Sequence, residues 1–297
     1  RQLLPSTKAT WFYCANGNER IRTGMTTRFC VVGSPIQHSL SPALHAAAYK
    51  ELGLSFEYGK NEVALGDLAS FLESVEFAGV SVTMPLKQEA FALAARHDKH
   101  AIQTGVANTL VHSNGAWSAA NTDVYGIRQA LATVTDPKRA VVIGSGATAR
   151  SALVALAETF TETQIQIVSR NTEAGIELLS FAESLGLSAL MQPASSQVMT
   201  AADLVMSLVP AGSFATLWDE IAQEGKPKNG ILFDVAYNPW PSSAALAWDP
   251  ARVISGIEML IWQAIEQVQI FVTAAGQDTV IDRDLLYEVM KSAVSAK

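Results

Sequence analysis

Val141-Val142-Ile143-Gly144-Ser145-Gly146-Ala147-Thr148-Ala149-Arg150 decides the fold. A β-branched run leads into a G-x-G-x-x-A turn, and the apolar stretch 151–160 reads as the helix that this turn opens. Gly144 suits a tight turn, Gly146 lets the backbone approach a pyrophosphate, and Ala149 permits close packing of helix on strand. The N–H groups at the helix start then face the phosphate. A second strand, 164–168, ends at Ser169-Arg170-Asn171. Dinucleotide folds usually carry an acid here for the adenosine 2′-hydroxyl. This chain has Ser169 and Arg170 instead. A cationic fork suits a 2′-phosphate, so the residues favour NADP over NAD. The candidate cofactor contacts are Gly144, Ser145, Gly146, Ala147, Thr148, Ala149, Ser169, Arg170 and Asn171.

The glycine turn heads a βαβ series with strands expected at 140–143, 164–168, 204–207, 231–234 and 252–254. A separate α/β series precedes it. Strands are expected at 29–32, 55–62, 78–83 and 109–112, with helices at 42–52, 65–73 and 87–96. That rhythm predicts a mostly parallel sheet covered by helices. Ser113-Asn114-Gly115 is a hairpin signal that returns the chain through 116–120. The last helices, 257–274 and 282–292, follow a nucleotide-binding series that is already complete, so they are expected to rejoin the first domain. The expected architecture is α/β with two domains and an active-site cleft between them. Residues 26–122 plus 256–297 form an N-terminal catalytic (substrate) domain. Residues 123–255 form a Rossmann-type NADP-binding domain. Residues 1–25 look foreign to the rest, as a misassigned start or a floppy extension would.

Composition narrows the class. In 297 residues 49% are hydrophobic and 16% charged, which marks a globular chain with a large core. The net charge of −7, with no lysine or arginine cluster, argues against nucleic acid. The stretch 257–272 carries Glu258, Gln263, Glu266 and Gln267, too polar and too short for a membrane span. Cys14 and Cys30 give no disulfide framework, and a reducing cytoplasm is the simpler reading. His38, His45, His97, His100 and His112 lack partners in a metal-binding pattern, so no metal is expected.

Polar clusters stand where sheets of this kind keep ligands. One is 33–42, in which Ser41 reads as the cap of a helix opened by Pro42 and Ser39 is left for a ligand. A second, Val82-Thr83-Met84-Pro85-Leu86-Lys87, puts Lys87 at a helix start. A positive charge there opposes the helix dipole. Taken alone, Lys87 also reads as an ordinary surface lysine. Asn108-Thr109 and Asn121-Thr122-Asp123 complete the set. Asp123 reads either as the cap of a helix 124–131 or, with Lys87, as the pair an alcohol oxidation needs. No G-x-S-x-G elbow or Ser–His–Asp order supports a hydrolase.

These clusters, in this order, resemble the shikimate dehydrogenase family over about residue 27 to the C-terminus. The resemblance rests on Gly33-Ser34-Pro35-Ile36 through Ser39-Leu40-Ser41-Pro42, Val82–Lys87, Ala107-Asn108-Thr109-Leu110 and Asn121-Thr122-Asp123. It continues through Gly144–Arg150, Asp234-Val235-Ala236-Tyr237-Asn238-Pro239 and Gly256-Ile257-Glu258-Met259-Leu260-Ile261-Trp262-Gln263. It implies NADPH-dependent reduction of 3-dehydroshikimate, a small-molecule substrate, by a monomer or homodimer in aromatic biosynthesis. By it, Lys87 and Asp123 would be the catalytic pair. Ser39, Ser41, Thr83, Asn108, Tyr237 and Gln263 would bind substrate, and Gly256 would join the cofactor contacts. For Tyr237 the bland alternative is aromatic packing at a strand end; for Gln263 it is a polar group hydrogen-bonded inside a buried helix. The chain departs from the family pattern at Ser81 (usually Asn), at Ala147-Thr148, at Ser169-Arg170-Asn171 (usually Asn-Arg-Thr) and at Ala174, where many members carry a second arginine. Two rivals remain: a quinate or mixed quinate/shikimate enzyme, and a catalytically silent nucleotide- or ligand-binding protein on the same scaffold.

Overall fold

The computed structural model describes residues 27–74, 76–227 and 229–295. The expectations for residues 1–25 and for Cys14 lie outside the described residues. The chain divides into two compact units: residues through Thr122 together with those from Ile261 onward, and Asp123–Leu260.

In the first unit β1 (Thr27–Gly33), α1 (Ser41–Glu51), β2 (Phe56–Glu62), α2 (Leu68–Ser74), β3 (Gly79–Val82) and α3 (Lys87–Leu93) follow in turn. Then come β4 (Arg96–His97), α4 (Lys99–Thr104) and the hairpin β5 (Thr109–Ser113)–β6 (Ala116–Ala120). The sheet order is β2-β1-β3-β5-β6-β4. β1 runs parallel to β2 and β3, but β5 is antiparallel to both β3 and β6. The sheet is therefore mixed but mostly parallel, as expected: β5 alone runs against the other strands. The expected helix 87–96 stops early, and the chain crosses to the far edge, where Arg96 and His97 pair with β6. Asp98 caps α4 by accepting from the Ala101 N–H at 2.6 Å, and Gly105 ends it with φ of 66°. The chain then re-enters the sheet in the opposite direction. The hairpin turn has positive φ at Asn114 and Gly115, as a two-residue turn that matches strand twist requires.

The second unit contains α5 (Asp123–Ala130), β7 (Arg139–Ile143), α6 (Ala147–Thr159), β8 (Gln164–Val168), α7 (Thr172–Ser184) and β9 (Ala189–Met191). It continues with α8 (Ser196–Thr200), β10 (Leu204–Ser207), α9 (Ala215–Glu224), β11 (Ile231–Asp234), α10 (Ser243–Leu246) and β12 (Val253–Ser255). All of its strand pairs are parallel, in the order β12-β11-β10-β7-β8-β9. The first strand lies in the middle and the connections wind outward to both sides, which is the doubly wound Rossmann order. Such a sheet is buried on both faces. Along β7, Ala140 and Val142 join one apolar cluster with α5, α6 and α7, while Val141 and Ile143 join another with α9 and α10. The three-residue β9 was not anticipated.

α11 (Gly256–Ala274) and α12 (Arg283–Ser295) close the chain. The unit boundary falls after Leu260, inside α11 rather than at 255. Met259, in its first turn, packs into the Rossmann core cluster. From Ile261 onward α11 belongs to the first unit, where Phe271 stacks on Phe29 with ring centroids 4.5 Å apart. No helix among the described residues is long and apolar enough to cross a membrane.

Candidate active site

In the first unit the polar candidates gather at one end of the sheet. Gly33 ends β1, and a Cβ there would lie 2.4 Å from Thr83 Cγ2 and 2.7 Å from the Met84 carbonyl oxygen. Only glycine lets the loop after β3 come this close. The Ser34 N–H then donates to the Met84 carbonyl at 3.0 Å, and the Thr83 N–H to that of Val32 at 2.9 Å. Thr83 is half-buried. Lys87, also half-buried, is the first residue of α3. Its carbonyl accepts from the Ala107 N–H at 2.8 Å, and the Asn108 carbonyl accepts from the Val82 N–H at 2.7 Å. The backbones of Thr83, Lys87 and Asn108 are thus laced together.

Asn108 is the hub of this region. Its Nδ2 donates to Thr122 Oγ1 at 2.8 Å and to Gln263 Oε1 at 3.2 Å. Its Oδ1 accepts from the Thr122 N–H at 2.9 Å and from Thr109 Oγ1 at 2.8 Å. Gln267, one turn beyond Gln263, donates to Thr109 Oγ1 and to the Asn108 carbonyl, each at 3.0 Å. Gln267 Oε1 in turn accepts from Ser81 Oγ at 2.8 Å, and Ser81 Oγ accepts from the Tyr58 hydroxyl at 2.6 Å. Thr122 belongs to a polar cluster already marked in the sequence, whereas Gln267, Tyr58 and Ser81 join the site only in the folded chain. The available signal was the i, i+4 spacing of Gln263 and Gln267 on an otherwise apolar helix, which puts both amides on one face. Because every polar atom of the buried Asn108 side chain is used, Asn108→Ala should lower stability by about 1–3 kcal/mol through the partners it leaves unsatisfied. A thermal unfolding curve unchanged from that of the parent would show that the network is not maintained.

Ser41 does not cap α1. Leu40 stands at the cap without a side-chain bond, and Ser41 is the first helical residue, its own N–H donating to Ser39 Oγ at 3.3 Å. The Ser41 side chain is buried beside Tyr58, whose hydroxyl donates to Ser81. Ser39, half-buried, stays in the loop. The Ser41 carbonyl is 3.0 Å from Nδ1 of His45, whose fully buried ring stacks on Tyr58 with centroids 3.9 Å apart. Burial holds His45 down at about 3, against an ordinary 6.5, and only partly offset by the Ser41 carbonyl. The unfolded chain takes up this proton first. His45 therefore removes stability as pH falls from 6.5 towards about 3, at up to ~1.4 kcal/mol per pH unit. Chemical denaturation of the parent and of His45→Phe across that range should show a shallower acid decline in the variant. Parallel declines would contradict a buried neutral histidine.

In the second unit Gly144 carries φ of 111°, and a Cβ there would lie 3.0 Å from the Leu208 carbonyl oxygen. Gly146 sits at the cap of α6 with no side-chain cap bond, and a Cβ there would enter open space. The N–H groups of Ala147 and Thr148 therefore point from an uncapped end into open space, while the Ala149 N–H already donates to the Gly146 carbonyl at 3.0 Å. Such an end binds phosphate. Ser145 Oγ and Ser169 Oγ lie 3.0 Å apart and tie the turn to the end of β8. Asn171 caps α7, its side chain accepting from the Ala174 N–H at 3.1 Å. Arg170 is exposed beside them. These residues fit a dinucleotide carrying a 2′-phosphate. Gly256, the first residue of α11, follows β12, which β10 and β11 separate from β7; a Cβ on it would strike the Val235 carbonyl. Asp123 is buried and is the first residue of α5 rather than its cap. Half-buried Tyr237 lies just past β11. Its loop is held by Asp234, which accepts from the Ser242 hydroxyl and from the Ala236 N–H.

A Rossmann-type unit with an open glycine cradle, on one chain with an α/β unit bearing a lysine–amide polar site, defines a dinucleotide-binding protein of two α/β units. The family model for the shikimate dehydrogenase substrate binding domain matches residues 31–110. A curated shikimate dehydrogenase (NADP(+)) of Ignicoccus hospitalis is 31% identical over 257 residues, covering 83% of this chain and 94% of its own. The crystal structure of Mycobacterium tuberculosis shikimate dehydrogenase matches with a TM-score of 0.78 and 34% identity, over 91% of this chain and 100% of that one. A Thermus thermophilus shikimate 5-dehydrogenase in complex with NADP(H) and shikimate matches with a TM-score of 0.73 and 28% identity, over 91% and 100%. The chain belongs to the shikimate dehydrogenase family.

Proposed function

We propose that this chain catalyses the reversible NADPH-dependent reduction of 3-dehydroshikimate to shikimate, in the cytoplasm, as a monomer or homodimer. The observation that carries the reading is the gathering of Ser39, Ser41, Thr83, Lys87, Asn108 and Gln263 at one end of the first sheet, on a chain whose second unit holds an open phosphate cradle.

Gly144–Ala149, Ser169, Arg170, Asn171 and Gly256 would hold NADP, which supplies the hydride. Lys87 gives a proton or hydrogen bond to the developing alkoxide oxygen, with Asp123 as the acid that orients it. Ser39, Ser41, Thr83, Asn108, Gln263 and Tyr237 bind the substrate's carboxylate and hydroxyls. The Asn108 network keeps the Asn108 and Gln263 dipoles fixed before substrate arrives, which spares reorganisation during reaction. Ser39→Ala and Gln263→Ala should each raise KM for shikimate, by about 0.5–1.5 kcal/mol for a neutral contact and 1.5–3 for a charged one, with KM for NADP little changed. A raised KM for NADP with shikimate untouched would reverse the roles of the two units. The reading itself is tested by steady-state assays of the purified protein with shikimate and with quinate, each with NADP and with NAD. Shikimate with NADP should be the best pair. Quinate with NAD as the best pair would make it a quinate enzyme, and turnover with none would leave a binding protein.

A further inference from the structure

Arg170 follows β8 and Phe214 precedes α9, in the loop after β10. These two strands flank β7, so both residues sit at its carboxyl end, on either side of the glycine turn. That is the point where the winding of the sheet reverses and where such sheets bind ligands. The Arg170 guanidinium lies over the Phe214 ring, 5.4 Å from its centroid. Phe214 has φ of 57°, a left-handed conformation that a bulky residue rarely adopts. The conformation is held by its surroundings. The Phe214 carbonyl accepts from the Trp218 N–H at 3.2 Å, the Ser213 carbonyl accepts from the Trp218 indole at 3.0 Å, and the ring packs on the core cluster beneath. Arg170 itself is exposed, and its long side chain lies against the Phe214 ring. Ala174, in the first turn of α7, brings no second cation.

We propose that Phe214 is a positioning residue for cofactor choice: its ring covers one face of the Arg170 guanidinium and holds its N–H edge ready for a 2′-phosphate. A planar guanidinium stacked on one face keeps its edge donors for bidentate contact with an anion and its other face for a base. Pre-ordering the side chain lowers the entropy lost on binding. The inference rests on the reading that Arg170 contacts the 2′-phosphate.

The experiment measures dissociation constants of adenosine 2′,5′-bisphosphate and of adenosine 5′-monophosphate by calorimetry, with the intact chain. Their ratio isolates the 2′-phosphate. The parent should favour the bisphosphate, and Arg170→Ala should abolish that preference. Phe214→Leu, and Phe214→Asn as a second ring-less variant suited to the left-handed backbone, should cut the preference about 2- to 5-fold, the size of an exposed cation–π contact. Phe214→Tyr should restore it. Full preference in a folded ring-less variant, with Arg170→Ala still losing it, would overturn the role of Phe214 alone. Full preference in Arg170→Ala would overturn both this inference and the reading beneath it.

Discussion

Lys87→Ala should lower kcat by about 10²–10⁴-fold, the usual scale for a positioned proton-transfer group, with a smaller change in KM for shikimate. The structure adds a second, opposite expectation. Lys87 is the first residue of α3, where a positive charge faces the positive end of the helix dipole. Removing it relieves that repulsion, worth about 0.3–1 kcal/mol at a helix start. Its backbone bond to Ala107 survives the substitution. A charge kept against the helix dipole is the pattern of a residue retained for chemistry rather than for folding. Asp123→Asn, isosteric at a buried position, should also act mainly on kcat. Near-normal turnover in a folded Lys87→Ala protein would remove Lys87 from the mechanism.

Arg170→Ala should erode the preference for NADP over NAD, mostly by weakening NADP. The parent should favour NADP by about 10–100-fold in kcat/KM, since a charged hydrogen bond lost is worth roughly 1.5–3 kcal/mol. No carboxylate stands at Ser169-Arg170-Asn171 to accept bonds from a ribose diol or to repel a phosphate. The exposed guanidinium touches the Phe214 ring, so its removal should barely move the melting temperature. Kinetics with both cofactors check this. Equal use of NAD and NADP by the parent would show that Arg170 does not discriminate.

The legible parts were those specified locally. The run 141–150 announces strand, turn and helix together, and Asn114-Gly115 adopts the positive φ values its hairpin needs. The direction of β5 was not legible, because it depends on β4 and α4, too short to show a period. Only Asp98 and Gly105, a cap and a stop around a single turn, marked α4 in the sequence. The place of Ser41 before Pro42 predicts a cap. Its hydroxyl instead turns inward to Tyr58, a partner that only the pairing of β1 with β2 brings near. The polar network behaves likewise. Asn108 and Gln263 could be picked out one by one, but Gln267 joins them only because α11 lies against β5 and β3. Local chemistry marks the ends of elements, whereas long-range packing decides which of those ends meet.

The chain moves a hydride between NADP and the ring carbon that bears the oxidised oxygen. The most direct measurement supplies 3-dehydroshikimate and NADPH deuterated at the transferable position of nicotinamide C4, then analyses the product by mass spectrometry and NMR. Shikimate should carry one deuterium on the carbon that was the ketone, and Lys87→Ala should lose that product. NADPH that remains unoxidised, or is oxidised without label reaching that carbon, would contradict it.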